Sequence, residues 1–368
     1  MKIGIPREVK NHEYRVACTP AGVHELVTRG HEVYIETGAG IGSTFDDAAY
    51  TYAGARVLDT ADEVWNIADL VLKVKEPVAE EYSRLRRDQV LFTYLHLAAS
   101  KECTDALLNS GITSIAYETV TGRDGSLPLL APMSEVAGRL APQAGSYHLM
   151  RNGGGRGVLI GGVPGVRPAN VVVLGAGVSG RNAIAIAQGM GANVTVLDLN
   201  ITRLREIDDM YHGKVRTVMS NRLEVENLVR AADMVIGAVL VPGAKAPKLV
   251  SNDLVAQMKP GSVLVDIAID QGGCFEDSHP TTHADPTYRV HDSIFYCVAN
   301  MPGAVPHTST VALTNATLPY VVALADKGWR TATAADAGLA AGLSTHDGVL
   351  LSESVAEAHG YVAQSSAA

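Results

Sequence analysis

Short apolar runs alternate with amphipathic stretches along the first 120 residues, which is the pattern of an α/β domain. The runs are rich in β-branched residues and predict buried strands at 2–5, 32–35, 70–74, 90–94 and 113–117. Helix-like stretches between them begin near Thr19, Thr60, Val78 and Ser100. Because strands joined through helices run parallel, we expect polar residues that follow the strands to collect at one edge of the sheet.

A second series of the same kind begins after residue 150. A helix predicted over 133–150, interrupted by Pro142, leads into glycine-rich segments at 152–157 and 161–165 that indicate a hinge or lid. Strands are then predicted at 171–174, 194–197, 234–237 and 263–266. An apolar helix over 309–327 and an Ala-rich tail show no further strand series, and we expect them to pack on the first domain.

Composition narrows the class of protein. The 368 residues are 47% hydrophobic, and 30 Lys and Arg against 39 Asp and Glu give a net charge of −9, which disfavours nucleic acid and anionic membranes as partners. The four cysteines have neither close pairs nor metal-ligand spacing, which predicts free thiols in a reducing compartment. With no secretory leader pattern and no long apolar window, we expect a soluble, cytoplasmic protein. The acidic and histidine residues lack metal-ligand spacing, so we expect no metal site.

The strand at 171–174 runs directly into a G-x-G-x-x-G sequence formed by Gly175, Gly177 and Gly180. In this strand–turn–helix context the glycines allow a tight turn, the approach of a pyrophosphate and close helix packing. Asp198 ends the next strand about 20 residues later, where a carboxylate binds a ribose 2′-hydroxyl and repels a phosphate. The sequence therefore predicts NAD rather than NADP, a preference that Arg203 would soften.

Four residues are candidates for the chemistry because each follows a predicted strand. A histidine side chain has an unperturbed pKa of about 6.5, close to neutrality, and is therefore suited to proton transfer, which makes His96 a candidate. Arg15 and Lys75 are cations that could hold a carboxylate, and Asp270 lies in an Asp-Gln-Gly-Gly turn. By position alone, His96, Arg15 and Lys75 could each be a structural or solvated group, whereas the turn after a buried strand exposes Asp270 and favours a functional role for it.

Seven short motifs, taken together, favour functional roles for these residues. They occupy 4–8, 15–20, 73–77, 95–98, 131–139, 265–273 and 300–306, and in this order they closely resemble the alanine dehydrogenase family, which includes the transhydrogenase alpha subunit. The resemblance covers essentially the whole chain. It implies two doubly wound Rossmann-like α/β domains with a cleft between them. The substrate domain would be discontinuous, over 1–128 and 307–368, and the NAD-binding domain would span 129–306.

The resemblance also implies an activity and a set of site residues. The activity is the reversible oxidation of L-alanine by NAD⁺ and water to pyruvate and ammonia. The resemblance also implies a homohexamer. His96 would be the general acid/base, Asp270 a second catalytic residue, and Arg15 and Lys75 the substrate-binding pair. The cofactor would contact Ser134, Gly175, Gly177, Val178, Ser179, Gly180, Asp198, Arg203, Ser220, Val239, Leu240, Ile267, Asp270, Val298 and Met301. The family has a lysine where Arg203 stands and an arginine where His279 stands.

Two other classes of protein share this domain plan. The NAD-binding subunit of a proton-translocating transhydrogenase would need a membrane partner, and it need not keep Arg15, Lys75 and His96 together. A non-catalytic NAD-binding module would keep the fold and lose the chemistry. The presence of all three residues favours the dehydrogenase.

Overall fold

The computed structural model describes residues 1–239 and 246–364, and the chain divides into two compact units. The first comprises Met1–Met133 and Val305–Ala368, and the second comprises Ser134–Ala304. The strands are β1 (Lys2–Ile5), β2 (Glu32–Glu36), β3 (Arg56–Leu58), β4 (Leu70–Leu72), β5 (Val90–Thr93), β6 (Thr113–Ala116), β7 (Asn170–Leu174), β8 (Asn193–Asp198), β9 (Arg216–Met219), β10 (Met234–Gly237), β11 (Val263–Asp266), β12 (Thr287–Val290), β13 (Ser293–Tyr296), β14 (Leu343–His346) and β15 (Val349–Leu350). The α-helices are α1 (Pro20–Thr28), α2 (Asp47–Tyr52), α3 (Ala61–Ile67), α4 (Lys101–Ser110), α5 (Ala131–Leu149), α6 (Val178–Gly189), α7 (Ile201–Tyr211), α8 (Arg222–Ala231), α9 (Asn252–Val255), α10 (Pro306–Ala335), α11 (Ala337–Ala340) and α12 (Glu353–His359).

The first unit is built on a sheet with the order β15-β14-β6-β5-β4-β1-β2-β3. The strands from β3 to β6 pair in parallel, so the carboxyl ends of β1, β4, β5 and β6 lie at one edge. Local sequence starts the helices between them: Thr60 and Glu63 form a capping box at α3, and Ser100 caps α4. The segment after Val78 is a 3₁₀ helix, Ala79–Arg84, rather than an α-helix.

The tail beyond α10 corrects one expectation. We expected no strands there, but β14 pairs antiparallel with β6, and β15 pairs antiparallel with β14. Hydroxyls help to fix this edge, since Ser114 Oγ lies 2.7 Å from Thr345 Oγ1 and both side chains are buried. The tail thus extends the sheet that the first residues of the chain begin.

The second unit contains a sheet with the order β12-β13-β11-β10-β7-β8-β9, parallel except for β12. Alternate residues of β7 enter separate apolar clusters, Val171 and Val173 on one face and Val172 and Leu174 on the other. Both faces are therefore covered, as a parallel sheet requires. The two α/β units of mostly parallel strands with flanking helices confirm the predicted fold class.

The glycine-rich segment after α5 has a packing role within the second unit. A Cβ on Gly153 would lie 2.3 Å from the carbonyl oxygen of Tyr147, and one on Gly155 would lie 2.1 Å from that of His148. Glycine at these positions lets the chain fold back over the last turn of α5. The expected movement of this segment stays a prediction.

All four cysteines are free and buried. Burial raises the pKa of Cys18, Cys103, Cys274 and Cys297 to about 12 in each case, so that none presents a reactive thiolate. We therefore expect a neutral alkylating reagent to leave the folded protein unmodified and to label all four thiols in guanidinium, as counted by intact mass. Rapid labelling of a thiol in the folded protein would contradict this burial.

Candidate active site

The glycine loop of the second unit lies between β7 and α6. Gly175 has φ +103°, and a Cβ there would lie 2.7 Å from the carbonyl oxygen of Ala238. A Cβ on Gly180 would lie only 1.9 Å from the carbonyl oxygen of Gly175, whereas one on Gly177 would meet nothing within 4 Å. Open space at Gly177, beside the N-terminus of α6, suits the approach of a pyrophosphate to backbone N–H groups.

Asp198 at the end of β8 is joined to this loop. Its Oδ2 accepts the Ala176 N–H at 2.6 Å, and its Oδ1 accepts the Asn200 N–H at 2.7 Å. Arg203 Nη1 lies 3.8 Å from Oδ2. The carboxylate thus stands where the nucleotide-binding pattern needs it, beside a guanidinium that offsets its charge.

The other candidate cofactor residues differ in exposure. Val178 is exposed, Ser134, Ser179, Ser220, Val239 and Ile267 are half-buried, and Val298 and Met301 are buried in the core of the second unit. Leu240 lies outside the described residues. His279 is exposed and stacks on Tyr288 with ring centroids 3.7 Å apart, so its imidazole is engaged within its own unit.

Asp270 is exposed on a 3₁₀ turn, Ile269–Gln271, that follows β11. Gly272 and Gly273 have φ of +89° and +78°, as the predicted tight turn requires. The buried carboxylate of Asp266 holds both ends of this turn, accepting the N–H of Ala268 at 3.1 Å and that of Cys274 at 2.7 Å. Asp266 therefore fixes the loop that presents Asp270.

His96 follows β5 in an unusual backbone conformation, with φ 48° and ψ 37°. Left-handed conformations of residues other than glycine are uncommon and cluster at functional sites. The Glu118 carboxylate, at the end of β6, supports this one by accepting the N–H of His96 at 2.6 Å and the N–H of Leu95 at 3.2 Å. The half-exposed imidazole stacks on Tyr94 with centroids 5.8 Å apart, and Tyr94 donates its hydroxyl to the Leu129 carbonyl.

Arg15 is 2% exposed and makes a two-point ion pair with Glu13. Its Nε donates to Glu13 Oε1 at 2.7 Å, and its Nη1 lies 2.9 Å from Met133 Sδ. Burial acts to raise the pKa of Glu13, but the charge and hydrogen bonds of Arg15 and the charge of Lys75 lower it below its usual range. Glu13 is therefore an anion beside two cations.

Arg15, Lys75 and His96 belong to one electrostatic cluster in the first unit. The charge of Lys75 acts on Glu13, and the charges of Arg15 and Glu118 act on the buried Tyr94 hydroxyl, on whose ring His96 stacks. Arg15 and Lys75 are the cations of this cluster, and Glu13 and Glu118 are its carboxylates.

Three carboxylates that contact the candidate residues were not predicted from the sequence as site residues. Glu13 binds the Arg15 side chain, Glu118 binds the His96 backbone, and Asp266 binds the backbone of the loop that carries Asp270. The detectable signal was their position, because Glu118 and Asp266 each lie at the end of a predicted strand and Glu13 lies two residues before Arg15. Their partners became evident only with the geometry.

Within 1–239 and 246–364, no three metal-binding side chains converge on a point where an ion could bind. Over the same ranges, no helix combines the length and the apolarity needed to cross a membrane.

Comparisons with known proteins agree with this geometry. The N-terminal domain model of alanine dehydrogenase/PNT matches residues 4–137, and the C-terminal domain model matches residues 141–353. The alanine dehydrogenase of Mycolicibacterium smegmatis is 69% identical over 97% of this chain and 96% of its own length. That of Mycobacterium tuberculosis is 68% identical over the same shares of the two chains.

Solved structures separate the two branches of the family. An L-alanine dehydrogenase, 51% identical, superposes with a TM-score of 0.95 over 98% of this chain and 99% of its own. A transhydrogenase from Sinorhizobium meliloti is 26% identical, with a TM-score of 0.83 over 95% of this chain and 100% of its own. The much higher identity lies on the dehydrogenase side. The chain therefore belongs to the alanine dehydrogenase/PNT family, as an oxidoreductase of the amino-acid dehydrogenase type.

Proposed function

We propose that the protein is an NAD-dependent L-alanine dehydrogenase. In the proposed reaction, L-alanine, NAD⁺ and water yield pyruvate, ammonium, NADH and a proton, and the reverse reaction aminates pyruvate. The observation that carries this proposal is the cluster of Arg15, Lys75 and His96 in a chain 69% identical to an alanine dehydrogenase. A transhydrogenase subunit need not keep these three residues together.

Each residue of the cluster has a separate task in this proposal. The charges of Arg15 and Lys75 hold the substrate carboxylate, and Lys75 also binds the oxygen of the 2-oxo acid. His96 takes a proton from the attacking water, or from the carbinolamine oxygen, and returns it in the reverse direction. Asp270 is the second catalytic residue. Glu118 positions the imidazole through the backbone of His96.

Two features of the second unit support NAD as the cofactor. The open position at Gly177 admits a pyrophosphate, and the Asp198 carboxylate suits a ribose 2′-hydroxyl. When bound, NAD⁺ supplies the two-electron acceptor for the oxidation of the substrate. Ser134, Val178, Ser179, Gly180, Ser220, Val239, Leu240, Ile267, Val298 and Met301 complete the proposed cofactor contacts.

A substrate panel followed by NADH formation tests the proposal. We expect L-alanine with NAD⁺ at alkaline pH to give NADH, and pyruvate with ammonium to consume it. One methylene changes discrimination by only about 1–3 kcal/mol, so L-serine and 2-aminobutyrate are informative competitors. A well-folded protein that produces no NADH from L-alanine would overturn the dehydrogenase function.

We also propose that the enzyme is a homohexamer, which rests on the family resemblance. Sedimentation equilibrium at several concentrations measures the mass directly. A stable monomer or dimer would contradict the hexamer without affecting the proposed reaction.

Cofactor preference should depend on Asp198. In Asp198→Ala we expect kcat/KM to fall for NAD⁺ and to rise for NADP⁺, because the carboxylate is lost and Arg203 is left without its partner at 3.8 Å. Asp198→Asn is the matched control, since it removes the charge but keeps an oxygen for the Ala176 N–H. An unchanged ratio of NAD⁺ to NADP⁺ use in both variants would remove Asp198 from the ribose site.

A further inference from the structure

A buried triad of charges lies next to the segment that carries Lys75. Lys73 is 0% exposed, and its ammonium lies 3.1 Å from Glu8 Oε2 and 2.8 Å from Glu81 Oε1. Glu8 follows β1, Lys73 follows β4, and Glu81 lies in the 3₁₀ helix Ala79–Arg84. Three elements of the first unit therefore meet at one ammonium group.

A contribution to the stability of the fold does not by itself explain such a buried triad. Removing an ion from water costs several kcal/mol, and well-packed apolar residues in place of a buried ion pair are often as stable or more so. Burial raises the pKa of Glu8 more than the charge of Lys73 lowers it, so the interior does not favour this carboxylate as an anion. The arrangement is therefore better explained by what the carboxylates hold in place.

The second oxygen of each carboxylate accepts backbone N–H groups at or near Lys75. Glu8 Oε1 accepts the N–H of Val74 at 2.6 Å and also the N–H of Lys75 at 3.4 Å. Glu81 Oε2 accepts the N–H of Val78 at 3.1 Å. The loop from 74 to 78 is thus held at both ends, and Lys73 fixes both of the carboxylates that hold it.

Neighbouring strands complete this support. Thr93 Oγ1 donates to the Lys75 carbonyl at 3.1 Å, and the Tyr94 N–H donates to the Val74 carbonyl at 3.3 Å. The backbone that carries Lys75 is therefore tied to the strand end that carries His96. A shift of the loop would move the Lys75 ammonium relative to the imidazole.

We propose that Lys73, acting through Glu8 and Glu81, is a positioning residue that sets the place of Lys75 for substrate binding. This inference rests on the proposed function, in which Lys75 holds the substrate. Misplacement of about 1 Å can cost a reaction about 100-fold. Loss of the triad should therefore act on the amino or oxo acid and leave the nucleotide site of the other unit unchanged.

Lys73→Met tests the proposal directly, because it keeps a long side chain and removes the charge. We expect KM for L-alanine and for pyruvate to rise by about 10- to 100-fold, while KM for NAD⁺ and the Kd for NADH stay unchanged. Activities are referred to the folded fraction measured by circular dichroism. A purely structural triad would lower the folded fraction or the melting temperature and leave both substrate KM values unchanged.

Glu81→Gln is the second variant, for the case in which Lys73→Met fails to fold. It keeps the length of the side chain, but an amide has only one oxygen for the two donors that the carboxylate now binds, Lys73 Nζ and the Val78 N–H. We expect a smaller rise in the same two KM values. Unchanged KM values in folded Glu81→Gln would overturn the proposal.

Two further variants distinguish failure of the positioning role of Lys73 from failure of the proposed substrate role of Lys75. Lys259→Met removes one ammonium 3.0 Å from the buried Asp233 of the second unit, and it controls for the loss of a partly buried ion pair. Lys75→Met tests the proposed function itself. Normal KM values in Lys75→Met would overturn the substrate role of Lys75, whereas raised values there with normal ones in Lys73→Met would overturn only the positioning role.

Discussion

His96→Ala is expected to lower kcat by about 10²- to 10⁴-fold, the range typical of a lost general acid/base. NADH should still bind with its normal Kd, because the proposed nucleotide-binding residues belong to the other unit of the chain. The readouts are steady-state NADH formation from L-alanine and a fluorescence titration with NADH. Turnover within a few-fold of the unaltered enzyme would show that His96 is not the proton-transfer group.

Two companion variants make this result specific. His24→Ala removes an exposed histidine from α1 and should leave kcat unchanged. Glu118→Ala removes the acceptor of the His96 N–H and should lower kcat less than His96→Ala does, because the imidazole remains but is no longer fixed. A full loss in His24→Ala would indicate damage unrelated to the imidazole of His96.

Gly180→Ala is expected to lower both stability and NADH affinity. Its added methyl group would lie 1.9 Å from the Gly175 carbonyl oxygen, so α6 must move away from the loop. Overpacking of this kind costs about 1–3 kcal/mol in the free energy of unfolding. Thermal melts and NADH titration measure the two effects.

The same helix and loop supply matched comparisons for Gly180→Ala. A methyl group on Gly177 meets nothing within 4 Å, so Gly177→Ala should keep its melting temperature and lose about tenfold or more in NADH affinity, or 1.4 kcal/mol, by blocking the pyrophosphate. Gly189→Ala, also without a contact within 4 Å, should change neither property adversely. Equal affinity in Gly177→Ala and Gly189→Ala would contradict the pyrophosphate position.

The central strands could be predicted because both of their faces are buried. Val171, Val172 and Val173 read as a continuous apolar run, and Gly175 and Gly180 after them have a conformation or a contact that few other residues permit. Strands β9 and β14 gave no such signal. β9 is only partly buried, and β14 reads Leu-Ser-Thr-His, whose hydroxyls find their partners in β6.

The candidate site also has parts that the sequence indicates and parts that it does not. The sequence suggests His96, Arg15, Lys75 and Asp270 as candidates because each follows a strand. The ion pair of Arg15 with Glu13 and the contact of Glu118 with the His96 backbone depend on side-chain conformations and on contacts up to 22 residues apart. Sequence periodicity carries no information about such pairs.

The pairing of β14 with β6 has a consequence for biosynthesis. Residues 134–304 emerge from the ribosome as one contiguous stretch and hold all seven strands of their sheet, so this unit can fold during translation, as domains generally do. The sheet of the first unit cannot be completed until residues 343–346 have been made, because β14 pairs with the edge of β6. The part of the chain synthesised first is therefore the last to be completed, and its nascent β6 edge stays open to wrong partners throughout that interval.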